Sequence, residues 1–350
     1  MVDSNATGYL PSGGLARRRG RTALNELFDV QQANALIDRG LVLHIAGDEQ
    51  ALRQLHRGNW IGGTTPYILT SQGGIVEREK VFVSSMPVTA AAATIRFVDI
   101  GHVPALSTEA PRNGFTIVIA PAMSEIHIIY SLTAASIPGI RDIAIMGWIA
   151  GVHIDDRDKI TGKVFNGRTG EAADDRIVAL HAALPPEREA VVDIVNLARL
   201  GIGDAFVFSA PSFSVQECEI NGELQDFYAY AVRNNLDLKQ PLVTELNGEY
   251  ISVSFKAFDA ESHSVKLYAP VMKGRVYRLA ETVPDYHDAL IKVAAQQKLE
   301  PVLSCNCVHN FTYGGLQGDQ FNPLPGPAVF GELAHVLMNQ TLVCLSIKAK

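Results

Sequence analysis

Cysteine is scarce in this chain, tryptophan is scarcer, and positive charge is in the minority. The four cysteines in 350 residues are Cys218, Cys305, Cys307 and Cys344. That number does not make a disulfide framework. Cys305 and Cys307 cannot pair with each other in an extended strand, because their side chains run parallel. A reducing cytoplasm is the expected compartment. Lys and Arg total 30 against 37 Asp and Glu, for a net charge of −7 and a pI near 5.8. A general nucleic-acid binder needs a basic face, so no nucleic-acid partner is expected.

Long apolar runs are missing as well. The longest, Phe115–Met123 and Ile143–Val152, are about half the roughly 20 residues a membrane helix needs, so no membrane insertion is expected. Residues 1–20 are Gly-rich and polar, without the apolar stretch of a signal peptide. Catalytic signatures are also absent: there is no G-x-S-x-G, H-E-x-x-H, C-x-x-C or dinucleotide fingerprint.

What is present is a globular composition, 47% hydrophobic and 19% charged. The length suits two domains of roughly 150 residues each. After a lead at 1–21 expected to be disordered, with a short basic run at Arg17–Arg19 and Arg21, the pattern predicts one half over 22–205 and another over 206–350. Leu200–Pro211 is the expected junction. Helices are predicted at Thr22–Arg39, from Gly47-Asp48 through Leu55, and at Pro121–Ser136 with Ser124 as N-cap. Further helices are predicted at Leu224–Arg233, Pro284–Leu299 and Val329–Asn339. The β-branched and aromatic runs between them predict strands. Short turns favour antiparallel pairing, and nothing alternates in a regular βαβα order. The expected class is α+β, with mixed, largely antiparallel sheets covered by helices.

Cys305, Cys307 and His309 are the first candidate site, being spaced by two within Pro301–Asn310. A strand would put all three on one face as a pocket wall. Thiolate and imidazole suit Zn²⁺ or haem iron, so a metal, Cys307 and His309 foremost, or haem is one reading. A nucleophilic cysteine activated by His309 is another, although same-face neighbours two apart lie roughly 6–7 Å from each other. Core filling is the third.

Four other groups carry lesser readings. Glu332 and His335 would share a face of the helix after Gly326-Pro327, as an anion site or as a carboxylate favouring the helix dipole. Gly62-Gly63-Thr64-Thr65 could be a backbone nest or a plain glycine turn. Trp148, with His153 beside Gly147 and Gly151, could wall a planar ligand or simply pack. Asp155–Asp158 lacks the spacing of a calcium loop and reads as solvated.

Several ordered segments resemble the FIST sensory domain, over roughly 25–347. In the first half these are Ile61-Gly-Gly-Thr-Thr65, Gly73-Gly74 and Ile145-Met-Gly-Trp-Ile-Ala-Gly151. In the second they are Tyr230, Pro241-Leu242, Phe255–Ala257, Met272-Lys-Gly274, Ser304-Cys305 and Phe330-Gly331-Glu332. The resemblance implies a ligand-sensing module for an amino-acid-like or other small molecule. It also implies a separate signalling protein as partner, or in some relatives a haem-dependent gas sensor. Cys305 is the family-like position, and Cys307 and His309 depart from the pattern. An enzyme using the same Cys/His pocket is the rival reading.

Overall fold

A computed structural model describes residues 23–156, 159–319 and 321–350. The lead at 1–21 and part of the Asp155–Asp158 cluster lie outside the described residues. The class is α+β, as expected: five sheets, mixed or antiparallel, with a few helices against them.

The first sheet has six strands in the order Asn25–Phe28, Val81–Ser85, Leu43–Gly47, Trp60–Thr64, Val164–Asn166 and Glu171–Ala173. Only Leu43–Gly47 and Trp60–Thr64 run parallel. The second orders Leu337–Met338, Glu332–Leu333, Ile145–Ala150, Gly114–Pro121, Ile177–Ala183 and Ala93–Val98. Gly114–Pro121 is covered on both faces, and its one hydroxyl, Thr116, meets His181 at 2.9 Å.

The third sheet has seven strands: Arg188–Val195, Leu342–Ala349, Leu303–Cys307, Gly326–Val329, Tyr67–Thr70, Gly73–Val76 and Gly318–Asp319. The fourth is wholly antiparallel: Glu223–Asp226, Glu217–Ile220, Phe206–Val207, Val276–Leu279, Leu242–Leu246 and Glu249–Val253. The fifth has Ser212–Val215, Ser264–Val271 and Phe255–Asp259.

The second and third sheets both cross the 205/206 boundary. Segment 303–349 returns to pair with strands from residues 67–76, 145–150 and 188–195. The largest apolar core likewise joins Val118 and Tyr130 to Phe206 and Tyr277.

Three predicted helices change. Thr22–Arg39 is split: Asn25–Phe28 pairs with Val81–Ser85, and the helix is Val30–Asp38. Asp29 caps it, accepting from the Gln32 N–H while the Gln32 side chain accepts from the Asp29 N–H. Leu224–Arg233 begins with the edge strand Glu223–Asp226, and its helix is Phe227–Arg233.

The third, Val329–Asn339, is no helix at all. Gly331 has φ +156, and the chain turns there into the small hairpin Glu332–Leu333 with Leu337–Met338. Its apolar residues Leu333, Ala334, Val336, Leu337 and Met338 are buried in that hairpin. Asp48, Ser124 and helix Tyr286–Gln297 match expectation.

Candidate functional site

Strand Leu303–Cys307 lies inside the third sheet, antiparallel to Leu342–Ala349 and parallel to Gly326–Val329. All five of its residues are buried. It stops at Cys307, where helix Val308–Tyr313 begins. His309 is therefore on a helix, not on the strand with the two cysteines. Val308 and Phe311, three apart, are buried by the helix and turn the chain out of the sheet.

The His309 ring lies 4.9 Å from Tyr268 and is stacked 5.3 Å from Tyr313. Its Nδ1 is 3.3 Å from Ser254 Oγ. Burial lowers the imidazole to about 4, so it is neutral.

Glu332 is the centre of the buried polar group. It is fully buried and pairs across from Trp148 in the second sheet. Its Oε2 accepts from the Thr341 N–H at 3.2 Å and hydroxyl at 2.7 Å. Oε1 meets no N–H or O–H donor, and the Cys307 thiol lies against the carboxyl. Burial lifts Glu332 to about 8, against the opposing pull of Thr341 and Cys307. The group is then a neutral carboxylic acid at neutral pH.

Burial also raises both thiols, with Cys344 and Glu332 adding to it at Cys305, and Glu332 at Cys307. A thiol held protonated is a poor nucleophile. Nearby, the Asn310 amide donates to Tyr286 Oη at 2.7 Å and to Asn306 Oδ1 at 2.9 Å.

Trp148, Gly63 and Thr64 join the same interior. The Trp148 indole donates to His44 Nε2 at 2.7 Å. Its ring covers Gly63, where a Cβ would sit 2.7 Å from both Trp148 Cη2 and Ile119 Cγ2. Gly63 is thus a strand residue needed for close sheet packing, neither nest nor turn. Thr64 continues the strand, its hydroxyl accepting from the Lys163 N–H at 2.9 Å. His335 is on the hairpin's turn, its Nε2 3.9 Å from Glu249. His153 stacks on Tyr67 at 5.6 Å. Asp156 pairs with Arg78 at 2.9 Å.

Cys305, Cys307, Glu332, Trp148 and Gly63 thus share one closed interior, and His309 stands apart from it. This donor set is not gathered for a metal or haem: His309 leaves the strand of the two cysteines on a helix and faces Ser254 and two tyrosines. Among the described residues, Asp285, His287 and Asp288 are the group whose ligand atoms lie within 4.8 Å of one another. Asp285 there is the N-cap of its helix, accepting from the Asp288 N–H.

The open site lies elsewhere, on residues the sequence reading passed over. A groove of about 380 Å³ runs along Ser212–Val215 and the start of Ser264–Val271, with Phe208, Gln216 and Glu217 in its walls. A hydrogen-bonded circuit borders it. Lys266 Nζ donates to Ser214 Oγ at 2.9 Å, and Ser214 to Ser264 at 3.2 Å. Ser264 and Ser262 are 2.7 Å apart, Ser262 donates to Asp259 at 2.6 Å, and Asp259 returns to Lys266 at 3.8 Å. Bonds from Ser262 hold the Asp259 carboxyl below the usual carboxylate range. The signal was there in part: serines at 212 and 214 repeat with the strand period of two, while Ser262 lies in the turn before the strand that starts at Ser264.

A family model matches residues 28–348. The chain belongs to DUF6976, a family of unknown function. No curated protein matches it. The DUF6976 match includes both the closed Cys/Glu interior and the serine groove. Among the described residues of this DUF6976 chain, no helix is long and apolar enough to cross a membrane.

Proposed function

We propose that this DUF6976 protein binds a small polar ligand in the serine-lined groove and reports its occupancy to a separate signalling protein. The observation that carries this is the Lys266–Ser214–Ser264–Ser262–Asp259 circuit along a groove of about 380 Å³. That volume is in the range of small-molecule sites. Hydroxyls already ordered by one another offer directional bonds at little further ordering cost. Lys266 supplies a cation at the edge of the circuit and Glu217 a carboxylate in the wall. A zwitterion with the polar ends of an amino acid matches both.

The ordered segments resembling the FIST sensory domain point to the same class. Four unpaired, buried cysteines are compatible with a reducing cytoplasm, where we place the protein.

The test is a thermal-shift screen of the full chain with the standard amino acids and small carboxylates. A ligand at 100 times its Kd adds about 2.7 kcal/mol of stability. The expected result is at least one such compound raising Tm, with the shift lost in Lys266→Met and Ser264→Ala. No shift from any compound, or a shift untouched by both substitutions, overturns the reading.

A further inference from the structure

The fourth sheet has one face on the core and one turned outward. Phe206, Cys218, Ile220 and Tyr277 point inward and are buried. The register sets Leu224 beside Glu219, Glu219 beside Val207, and Val207 beside Val276, so these four form one row across the outward face. Leu224 is 67% and Val276 50% exposed. The segment Gly201–Asp204 lies over the same face, because Arg278, two residues after Val276, donates to the Gly203 carbonyl. That loop is pinned again where Asp204 accepts from Asn221 at 2.7 Å and from the Tyr230 hydroxyl. Ile202, flanked by two glycines at its crest, is 99% exposed. With Leu224 and Val276 it puts three exposed aliphatic side chains on or beside this face.

We propose that this outward face is the contact between two copies of the chain, with Ile202 as its anchor. Charge selects the partner. On one side of the central strand Phe206–Val207, the Glu217–Ile220 strand exposes Glu217 and Glu219. On its other side, the Val276–Leu279 strand carries Arg278, with Lys273 and Arg275 exposed in the preceding turn, so three cations outweigh the one exposed carboxylate, Glu245, on the next strand. Folding this face onto a copy about an axis along the central strand lays each acidic side against the other copy's basic side. The match occurs twice, as a self-complementary two-fold contact requires. Ile202 leaves water in that contact and supplies its apolar part.

The experiment is light scattering on the full chain over a range of concentrations, with melting curves for every protein. Ile202→Asp and Leu224→Asp each lie on the proposed face. Ile154→Asp, at a residue 48% exposed elsewhere, is the control. The wild type and the control are expected to be dimers, and both face variants monomers with unchanged Tm. A monomeric wild type at the highest concentration overturns the proposal. So does a dimer that survives either face substitution, or one dispersed equally by Ile154→Asp.

Discussion

The Cys307 thiol lies against the Glu332 carboxyl in a fully closed interior, and burial keeps both groups protonated at neutral pH. The pH dependence of folding follows. Glu332 is raised from 4.5 to about 8 in the folded state. Its contribution to stability is complete below pH 4.5, where both states hold the proton. It is lost progressively as pH rises to about 8, because only the unfolded chain has ionised. Each tenfold difference in acidity is worth about 1.4 kcal/mol, so the loss amounts to a few kcal/mol. Glu332→Gln keeps an acceptor for Thr341 and removes the proton. Melting temperature measured from pH 6.5 to 8.5 should fall less in this variant than in the wild type. Equal slopes in the two proteins would refute the assignment.

The acid side has the opposite sign. Burial lowers His44 to about 3, and His127 and His309 to about 4. Each contributes stability above pH 6.5 that is lost as pH falls toward the folded value, because the unfolded chain takes the proton first. His181 and His335 are lowered too, so five histidines lose stability with acid in the window where the raised Glu332 and Glu249 gain it. Stability should therefore peak near the ordinary histidine value of 6.5. His44→Gln, which retains an acceptor for Trp148, should make the acid arm shallower in a Tm–pH series. An unchanged arm would mean that burial does not lower His44 in the fold.

Much of this was legible in local chemistry. Asp48 and Ser124, side chains suited to an N-cap, do cap helices. The apolar run Phe115–Met123 supplies the buried strand Gly114–Pro121. What failed did so where partners distant in sequence decide. Asn25–Phe28 has helical spacing, yet the Val81–Ser85 edge takes it as a strand. Glu332 reads as a helix-start carboxylate, yet its strand inserts beside Trp148, 184 positions earlier. The alternation Cys305-x-Cys307-x-His309 fits a strand period through its last member, and nothing local marks the turn into a helix after Cys307. The serine groove was missed because two serine pairs about 50 residues apart mean little until the strands carrying them meet.

Gly63 tests how tightly the first two sheets pack. A methyl at this position would press on Trp148 and Ile119 at 2.7 Å, closer than carbon atoms approach without displacement. Neither neighbour has free space, since Ile119 and Trp148 are both fully buried. Gly63→Ala should destabilise the fold by about 1–3 kcal/mol, the usual cost of overpacking a core. Denaturant unfolding measures the loss, and Trp148 fluorescence reports the local shift. A variant as stable as the wild type would show that the two sheets can slide apart at this contact.

The last prediction separates a sealed cysteine interior from a reactive one. Cys218, Cys305, Cys307 and Cys344 are all free and buried. Burial pushes Cys218 up to about 12 and raises the other three as well. The thiolate is the species that attacks a disulfide reagent. At pH 7 the native chain should therefore react with Ellman's reagent only as fast as it opens, while the denatured chain releases the full four equivalents. Glu332→Ala removes the carboxyl against Cys307 and opens space beside it, so Cys307 should become the first thiol to react. If Cys307 reacts rapidly in the native wild type, the strand is exposed to solvent on the timescale of the assay. The reading of Cys305 and Cys307 as a pocket wall would then return.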